Sequence, residues 1–397
     1  MLDFSKISSQ GLNLNKSDWV SVKFGEVAIK QNKKVDRETT ELTRYVKGEH
    51  MGSQDLHLRK WGELKDEYLG PAFTRKFEKG DILYGSRRTY LRKVVIAPFE
   101  GITSNTTFVI KANEEKIDKR LLPFVMMSEG FTDHSISNSK GSVNPYINWK
   151  DIANYKFLLP PKNIQAKLAE LLWSADFHLE SQITTLSKLS VLKRAIQKEY
   201  FIPQKNTNLT PLSEVATFST GGTPKTSVKE YWENGTIPWL SSGEVHNKRI
   251  IKTEKKITKL ALENSSAKIL PRQCCLIALA GQGKTKGTVA INEIELTTNQ
   301  SVAAIIPMPN IIEPEYLFHN LDSRYTDFRH ITGKQNTRSG LNLNILRSFR
   351  VVYHEKKIRH EIVHKIDKLD FATSRLKEKV GTSIELQKCL INELYLP

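Results

Sequence analysis

The sequence predicts a mixed α/β (α+β) chain: two similar globular domains separated by two long antiparallel helices, forming a pseudo-twofold internal repeat. Three observations carry this. Segments recur at one long shift, two runs of roughly 40 residues place apolar side chains at steps of three and four, and each copy holds short β-branched runs bounded by Gly, Pro and Asn.

The repeat comes first. Thr103-Ser104-Asn105 recurs 194 positions later as Thr297-Thr298-Asn299. At that shift Phe124 matches Phe318, Phe131-Thr132-Asp133 matches Tyr325-Thr326-Asp327, and Asn148 matches Asn342. Ile164 matches Ile358, Asp176-Phe177 matches Asp370-Phe371, Leu192 matches Leu386 and Glu199 matches Glu393. Further upstream the shift falls to 188, where Glu26-Val27-Ala28 matches Glu214-Val215-Ala216. One ungapped register from Thr103 to Phe201 makes chance similarity a poor explanation.

Residues 1–158 form the first expected domain. Asp81–Tyr84, Lys93–Ala97 and Thr107–Ile110 read as strands, and Asp118–Glu129 as a helix. Residues 159–203 form the first long helix: after Pro160-Pro161 no proline occurs until Pro203, and Leu168, Leu172, Leu179, Leu186 and Ile196 fall on one face. Residues 204–352 repeat the domain, with strands at Cys275–Leu279 and Ser301–Ile306 and a helix at Glu315–Ser323. Residues 353–397 repeat the helix, running from Glu355 to Leu396 with Ile362, Ile366, Leu369, Leu376 and Leu390 as its seam. Gly381 is its weak point, costing about 1 kcal/mol against alanine.

Connectivity sets the direction. At about 1.5 Å per residue each helix spans roughly 60 Å, so the domains are expected near opposite ends of the first. The second helix starts beside the second domain, so a paired second helix must run back antiparallel.

Composition narrows the function. The 397 residues carry 60 Lys+Arg against 43 Asp+Glu, a formal charge of +17, which favours a polyanion, with nucleic acid the first candidate; two basic domains on one rigid spacer can touch one double-stranded DNA at two separated places. Three cysteines, two of them adjacent, give neither a disulfide framework nor a C-x-x-C spacing. Met1–Gln10 has an early Asp3 and no apolar run, and no stretch of about 18 apolar residues occurs. A reducing, cytoplasmic location without a membrane is expected.

The charge concentrates in loops. Arg87, Arg88, Arg92 and Lys93 crowd the stretch from Gly85, and Lys284 and Lys286 sit in a Gly-rich hairpin from Gly281 to Gly287 at the matching place. Lys140 lies in Ser139–Ser142, and Lys334, Asn336 and Arg338 in the matched loop from Gly333. Lys and Arg neutralise phosphates; Arg also pairs with guanine, and Asn or Gln with adenine. Tyr231, Trp232 and Trp239 read as packing residues rather than base-stacking ones.

Patterns that suggest catalysis fail on detail. Gly281-Gln282-Gly283-Lys284-Thr285 lacks the first glycine of a phosphate-binding loop, since Ala278 stands there, and Gly287–Ile291 reads as a strand where a helix should open. Asn144-Pro145-Tyr146 lacks the second proline of the adenine methyltransferase motif. Ten histidines are scattered, and His360 and His364 share a helix face without further ligands, so they read as exposed helix residues. No cofactor, metal or catalytic residue is expected.

In the second domain, Thr220-Gly221-Gly222-Thr223-Pro224, Tyr231-Trp232 and Ile237–Ser242 precede Leu296-Thr297-Thr298-Asn299-Gln300. In the first, Lys140-Gly141-Ser142 precedes Leu158-Leu159-Pro160-Pro161 and Gln165. Together these segments resemble the DNA specificity subunits of type I restriction–modification systems, over nearly the whole chain. The junction Tyr353-His354-Glu355-Lys356 departs from the Pro-Pro pattern. The resemblance implies a non-catalytic subunit whose two target recognition domains read an asymmetric bipartite DNA target. It implies two adenine methyltransferase (modification) subunits docked on the helices, and restriction subunits joining the assembled complex. The alternatives are the specificity subunit of a fused methyltransferase–nuclease system, a coiled-coil scaffold that does not bind DNA, and an ATP- or S-adenosylmethionine-dependent enzyme.

Overall fold

The computed structural model describes residues 15–36, 39–281, 283–331 and 341–395. It divides into two compact units, one holding residues up to 184 with 377–397, the other 185–376. The division cuts both long helices, so each unit contains one globular part and two helical segments.

In the first unit Val20–Lys23 pairs antiparallel with Lys156–Leu159. A four-stranded sheet runs in the order Ala28–Gln31, Thr107–Ala112, Ile82–Gly85, Val94–Ile96. A second runs Gly62–Glu63, Arg44–Val46, Gly101–Ser104, Phe73–Phe77, with a parallel step between Tyr45 and Ile102. The second unit repeats the plan. Leu209–Pro211 pairs with Arg350–Val352. Ala216–Thr220, Val302–Pro307, Cys275–Ala278 and Val289–Asn292 lie in the same order as the first sheet, with Arg249–Ile250 added at the edge. Lys255–Ile257, Ile237–Leu240 and Thr297–Thr298 repeat the other sheet, again with a parallel step.

The repeated Thr-x-Asn segment has a structural cause. Thr103 Oγ1 donates to the Val46 carbonyl at 2.9 Å, and Thr297 Oγ1 donates to the Pro238 carbonyl at 3.0 Å. Each buried hydroxyl ties its strand to the parallel neighbour, where an unpaired one would cost about 1–3 kcal/mol.

The helix expected over Asp118–Glu129 is two helices, Leu122–Met127 and Glu129–Ser137. Ser128, at ψ 153°, leaves the helical region, and its hydroxyl accepts the Phe131 N–H, so it opens the second helix as an N-cap. In the other unit Pro314–Ser323 is followed by Tyr325–Ile331.

The first long helix spans Lys162–Phe201 and the second Lys356–Tyr395; Leu396 lies outside the described residues. A buried polar side chain pins each helix start. The Gln165 amide accepts the Asp118 N–H at 2.7 Å and donates to the Pro160 carbonyl at 2.9 Å. Arg359, at the matching position, donates to the Ile311 carbonyl at 3.0 Å and to Glu313 at 2.6 Å. The second junction replaces a neutral pin with a charged one.

The expected seam residues divide in two. Leu168, Leu172 and Leu390 sink into the core of the first globular part, with Phe24, Phe124, Phe131 and Tyr155. Ile362 and Ile366 belong to the second core, with Phe201, Tyr316 and Phe328, and Ile196 packs against it. Leu179 is buried, while Leu186, Leu369 and Leu376 are half-buried. Within each unit the helical segments therefore wall the core and add a thinner seam to one another. In the second unit Lys193 pairs with Asp370 at 2.6 Å and Tyr200 accepts from Lys365 at 3.1 Å, which fixes the antiparallel direction. In the first unit Gln387 donates to Asp176 at 3.1 Å. Asp176 matches Asp370 and Lys193 matches Gln387 at the repeat shift, so one contact is made twice with the copies exchanged. Among the described residues no helix is long and apolar enough to cross a membrane.

Candidate nucleic-acid interface

In the first unit, strand Ile82–Gly85 delivers the chain into a loop that folds onto residues 139–147. Ile147 N–H donates to the Ser86 carbonyl at 2.9 Å and Arg88 N–H to the Pro145 carbonyl at 2.6 Å. Arg87 and Lys140 both bridge to Tyr146, and Thr89 Oγ1 lies 3.1 Å from Ser139 Oγ. Two basic segments some fifty residues apart in sequence thus form one ledge. A single helical turn, Thr89–Leu91, sits between Arg88 at φ 49° and Arg92 at φ 48°. Both non-glycine residues occupy the left-handed region, which costs about 1–2 kcal/mol each. The strain holds a tight turn that presents Arg87, Arg88 and Tyr90 outward.

The expected basic residues are not equivalent. Arg87, Arg88 and Lys140 are exposed, and Arg92 is half-buried. Lys140 lies 3.5 Å from Asp151. Lys93 turns inward, and its ammonium donates to the Gly48 carbonyl at 2.5 Å; burial, then the neighbouring Arg88, pushes its pKa down. Tyr90 and Tyr146, which sequence reasoning passed over, are 52% and 43% exposed amid this charge, where an aromatic face can stack on a base. Their only signal was adjacency to the basic and Asn-Pro segments.

In the second unit the hairpin between Ala278 and Val289 is closed by Gly287 N–H on the Ala278 carbonyl at 2.9 Å. Gly287 has φ 81°, and a Cβ there would sit 3.0 Å from Phe328 Cβ, so any other residue would be strained. Tyr325 O–H donates to the Lys284 carbonyl at 3.0 Å, and Arg329 donates to the Gly283 carbonyl, seating the hairpin on helix Tyr325–Ile331. Lys284 is exposed and Lys286 half-buried. A strand, Val289–Asn292, follows instead of the helix a phosphate-binding loop would need. Lys334, Asn336 and Arg338 lie outside the described residues. Among the described residues, Arg87, Arg88, Arg92, Lys284 and Lys286 form no ion pair with a carboxylate within 4 Å, and Arg87, Arg88 and Lys284 are exposed.

The segments that carried the family resemblance turn out to be architectural. Gly222 N–H donates to the Thr298 carbonyl at 2.9 Å and Thr223 Oγ1 to Gln300 at 2.6 Å. A Cβ on Gly221 would lie 1.9 Å from the Thr298 carbonyl oxygen. The Thr-Gly-Gly and Thr-Asn-Gln segments therefore need each other. Trp239 is buried, donates to the Gly222 carbonyl at 3.0 Å and meets Trp232 edge to face at 5.1 Å. His360, exposed, lies 3.4 Å from Glu313.

The structure is thus two copies of one α/β unit, each with a basic loop cluster and segments of the two long helices. The chain belongs to the family of the type I restriction modification DNA specificity domain, whose model matches residues 16–188 and 204–386. It is 30% identical over 179 residues to the type I restriction enzyme EcoR124I/EcoR124II specificity subunit of Escherichia coli, covering 45% of this chain and 44% of that one. It is 32% identical over 118 residues to the MjaIX specificity subunit of Methanocaldococcus jannaschii, covering 29% and 26%. The matched segments thus span less than half of these relatives. The fold matches the S subunit of a type I restriction–modification system from M. genitalium, with TM-score 0.62, 15% identity and coverage of 97% and 98%. A second solved chain, from work on complex assembly of the type I R-M system, matches with TM-score 0.60, 18% identity and coverage of 94% and 97%.

Proposed function

We propose that this chain is the non-catalytic DNA specificity subunit of a cytoplasmic type I restriction–modification complex. Residues 1–158 and 204–352 act as target recognition domains, each reading one half of an asymmetric bipartite site. Residues 159–203 and 353–397 act as spacer helices that dock two adenine methyltransferase subunits, with restriction subunits joining the assembled complex. The observation that carries this reading is the duplication of one unit with unlike basic loops, Arg87-Arg88-Thr89-Tyr90 in one and Lys284-Thr285-Lys286 in the other. Similar scaffolds with different loops suit two different half-sites, whereas identical copies would suit a palindrome. Docking of a partner present twice is supported by Phe177 and Phe371, matched residues that stand 63% and 68% exposed on the two helices.

The test is co-expression with a partner methyltransferase followed by mapping of methylated adenines across a genome. One interrupted motif with unlike halves is expected. A stable complex that methylates nothing would overturn the reading in favour of a scaffold.

A further inference from the structure

The second unit buries an imidazole whose two nitrogens its own fold leaves unused, beside two carboxylates. Glu315 and His319 stand one turn apart on helix Pro314–Ser323, and Asp367 faces them from the second long helix. His319 is fully buried, and neither ring nitrogen has a hydrogen-bond partner. Its Nε2 lies 3.9 Å from Glu315 Oε2 and 3.8 Å from Asp367 Oδ1. Those separations are too long for hydrogen bonds, yet close to the roughly 3.3–3.6 Å between ligands that share one cation at about 2.0–2.2 Å. The three donor atoms all lie within 4.8 Å of one another. Arg249 grips Glu315 through two hydrogen bonds, at 2.8 and 2.7 Å, and fixes the carboxylate plane as an outer-shell partner does at a metal centre.

The first unit serves as an internal control. At the three matching positions it carries Leu121, Val125 and Trp173. Leu121 and Val125 are fully buried, and Trp173 packs edge to face on Phe124 at 5.2 Å. The same helix–helix junction is thus built with apolar packing in one copy and with an imidazole and two carboxylates in the other. All three positions differ together, which a need of the shared fold does not explain.

We propose that Glu315, His319 and Asp367 bind one divalent transition-metal ion, of the zinc class, which clamps the second globular part to the second long helix. One imidazole with two carboxylates suits zinc or its neighbours; magnesium and calcium take oxygen ligands in larger number. Asp367 is exposed, which leaves an entry path and a fourth position for water. The role is structural, and no reaction is assigned to the ion. The inference does not depend on the DNA-reading function.

The experiment uses the full chain, stripped with a chelator, dialysed, and titrated with zinc while metal content and thermal unfolding are followed. One zinc per chain is expected, with Tm raised by about 5 °C at a hundredfold excess over Kd. Cobalt in its place should give the visible absorption of a four-coordinate site. Asp367→Asn, at an exposed position, and Glu315→Gln should each abolish both the stoichiometric zinc and the Tm shift. A control with His360→Gln, His364→Gln and Cys389→Ser should keep them. Absence of zinc, cobalt or manganese uptake by the stripped chain would overturn the site, as would uptake unchanged in Asp367→Asn and Glu315→Gln.

Discussion

Arg87 and Arg88 stand outward on a strained turn, whereas Lys93, five residues on, spends its charge on the Gly48 carbonyl. The two kinds of basic residue should therefore part company in assays. Arg87→Glu with Arg88→Glu should flatten the salt dependence of DNA binding by the assembled complex, by about 0.9 in slope per phosphate no longer neutralised. Lys93→Ala should leave that slope unchanged and lower stability by about 1 kcal/mol, read by denaturant unfolding. A second residue-scale effect is titratable. His57 Nε2 lies 2.8 Å from Asp176 Oδ2, and this partner raises the histidine pKa above its ordinary value. A raised folded-state pKa adds stability that is full below the unfolded value, about 6.5, and fades as pH rises through the folded one. Wild type should thus exceed His57→Gln by about 1 kcal/mol near pH 5.5, solvent screening at the partly exposed histidine keeping the effect this small, and match it near pH 8.5. Urea unfolding across that range measures it. The outward charges were legible in the sequence because Lys and Arg cluster in turn-rich segments. The capture of Lys93 was not, because its acceptor is a backbone carbonyl forty-five positions away.

The long helices were the most legible elements, because a steady step of three and four over 40 residues without proline leaves little alternative. The break at Ser128 was hidden, since Phe124, Val125, Met126 and Phe131 keep up an apolar run across a residue whose effect is made by one capping hydrogen bond. Strand partners were hidden as well: the parallel steps Tyr45–Ile102 and Trp239–Thr297 join segments distant in sequence, and no local pattern encodes that register. What periodicity also could not say is that the same apolar face has two employers, the domain cores at the helix ends and the seam between. The exposed Phe177 and Phe371 belong to neither. Phe177→Ala and Phe371→Ala should each weaken capture of one methyltransferase copy by at least about 1 kcal/mol, and together should prevent assembly. Native mass spectrometry of the complexes would count the copies retained; full assembly by the double variant would remove these residues from the interface.

At the scale of the molecule the repeat predicts separable readout. Lys284→Glu with Lys286→Glu should relax recognition of one half of the target, and the Arg87, Arg88 pair the other, with the interval between halves unchanged in methylation maps. The order of elements and the unlikeness of the copies were readable from the shift of 194, but not that Glu315, His319 and Asp367, where the first copy has Leu121, Val125 and Trp173, meet in space: that shows only when the chain is folded. The exchanged contact, Asp176 with Gln387 and Lys193 with Asp370, has an ancestral meaning. Each copy offers an aspartate and receives a donor. A half-length forebear carrying Asp176 and Lys193 could have met its own twin with two identical ion pairs, and one carrying Asp370 and Gln387 with two identical amide bonds. Fusion of such twins into one chain would keep both contacts while releasing each half from having to resemble the other.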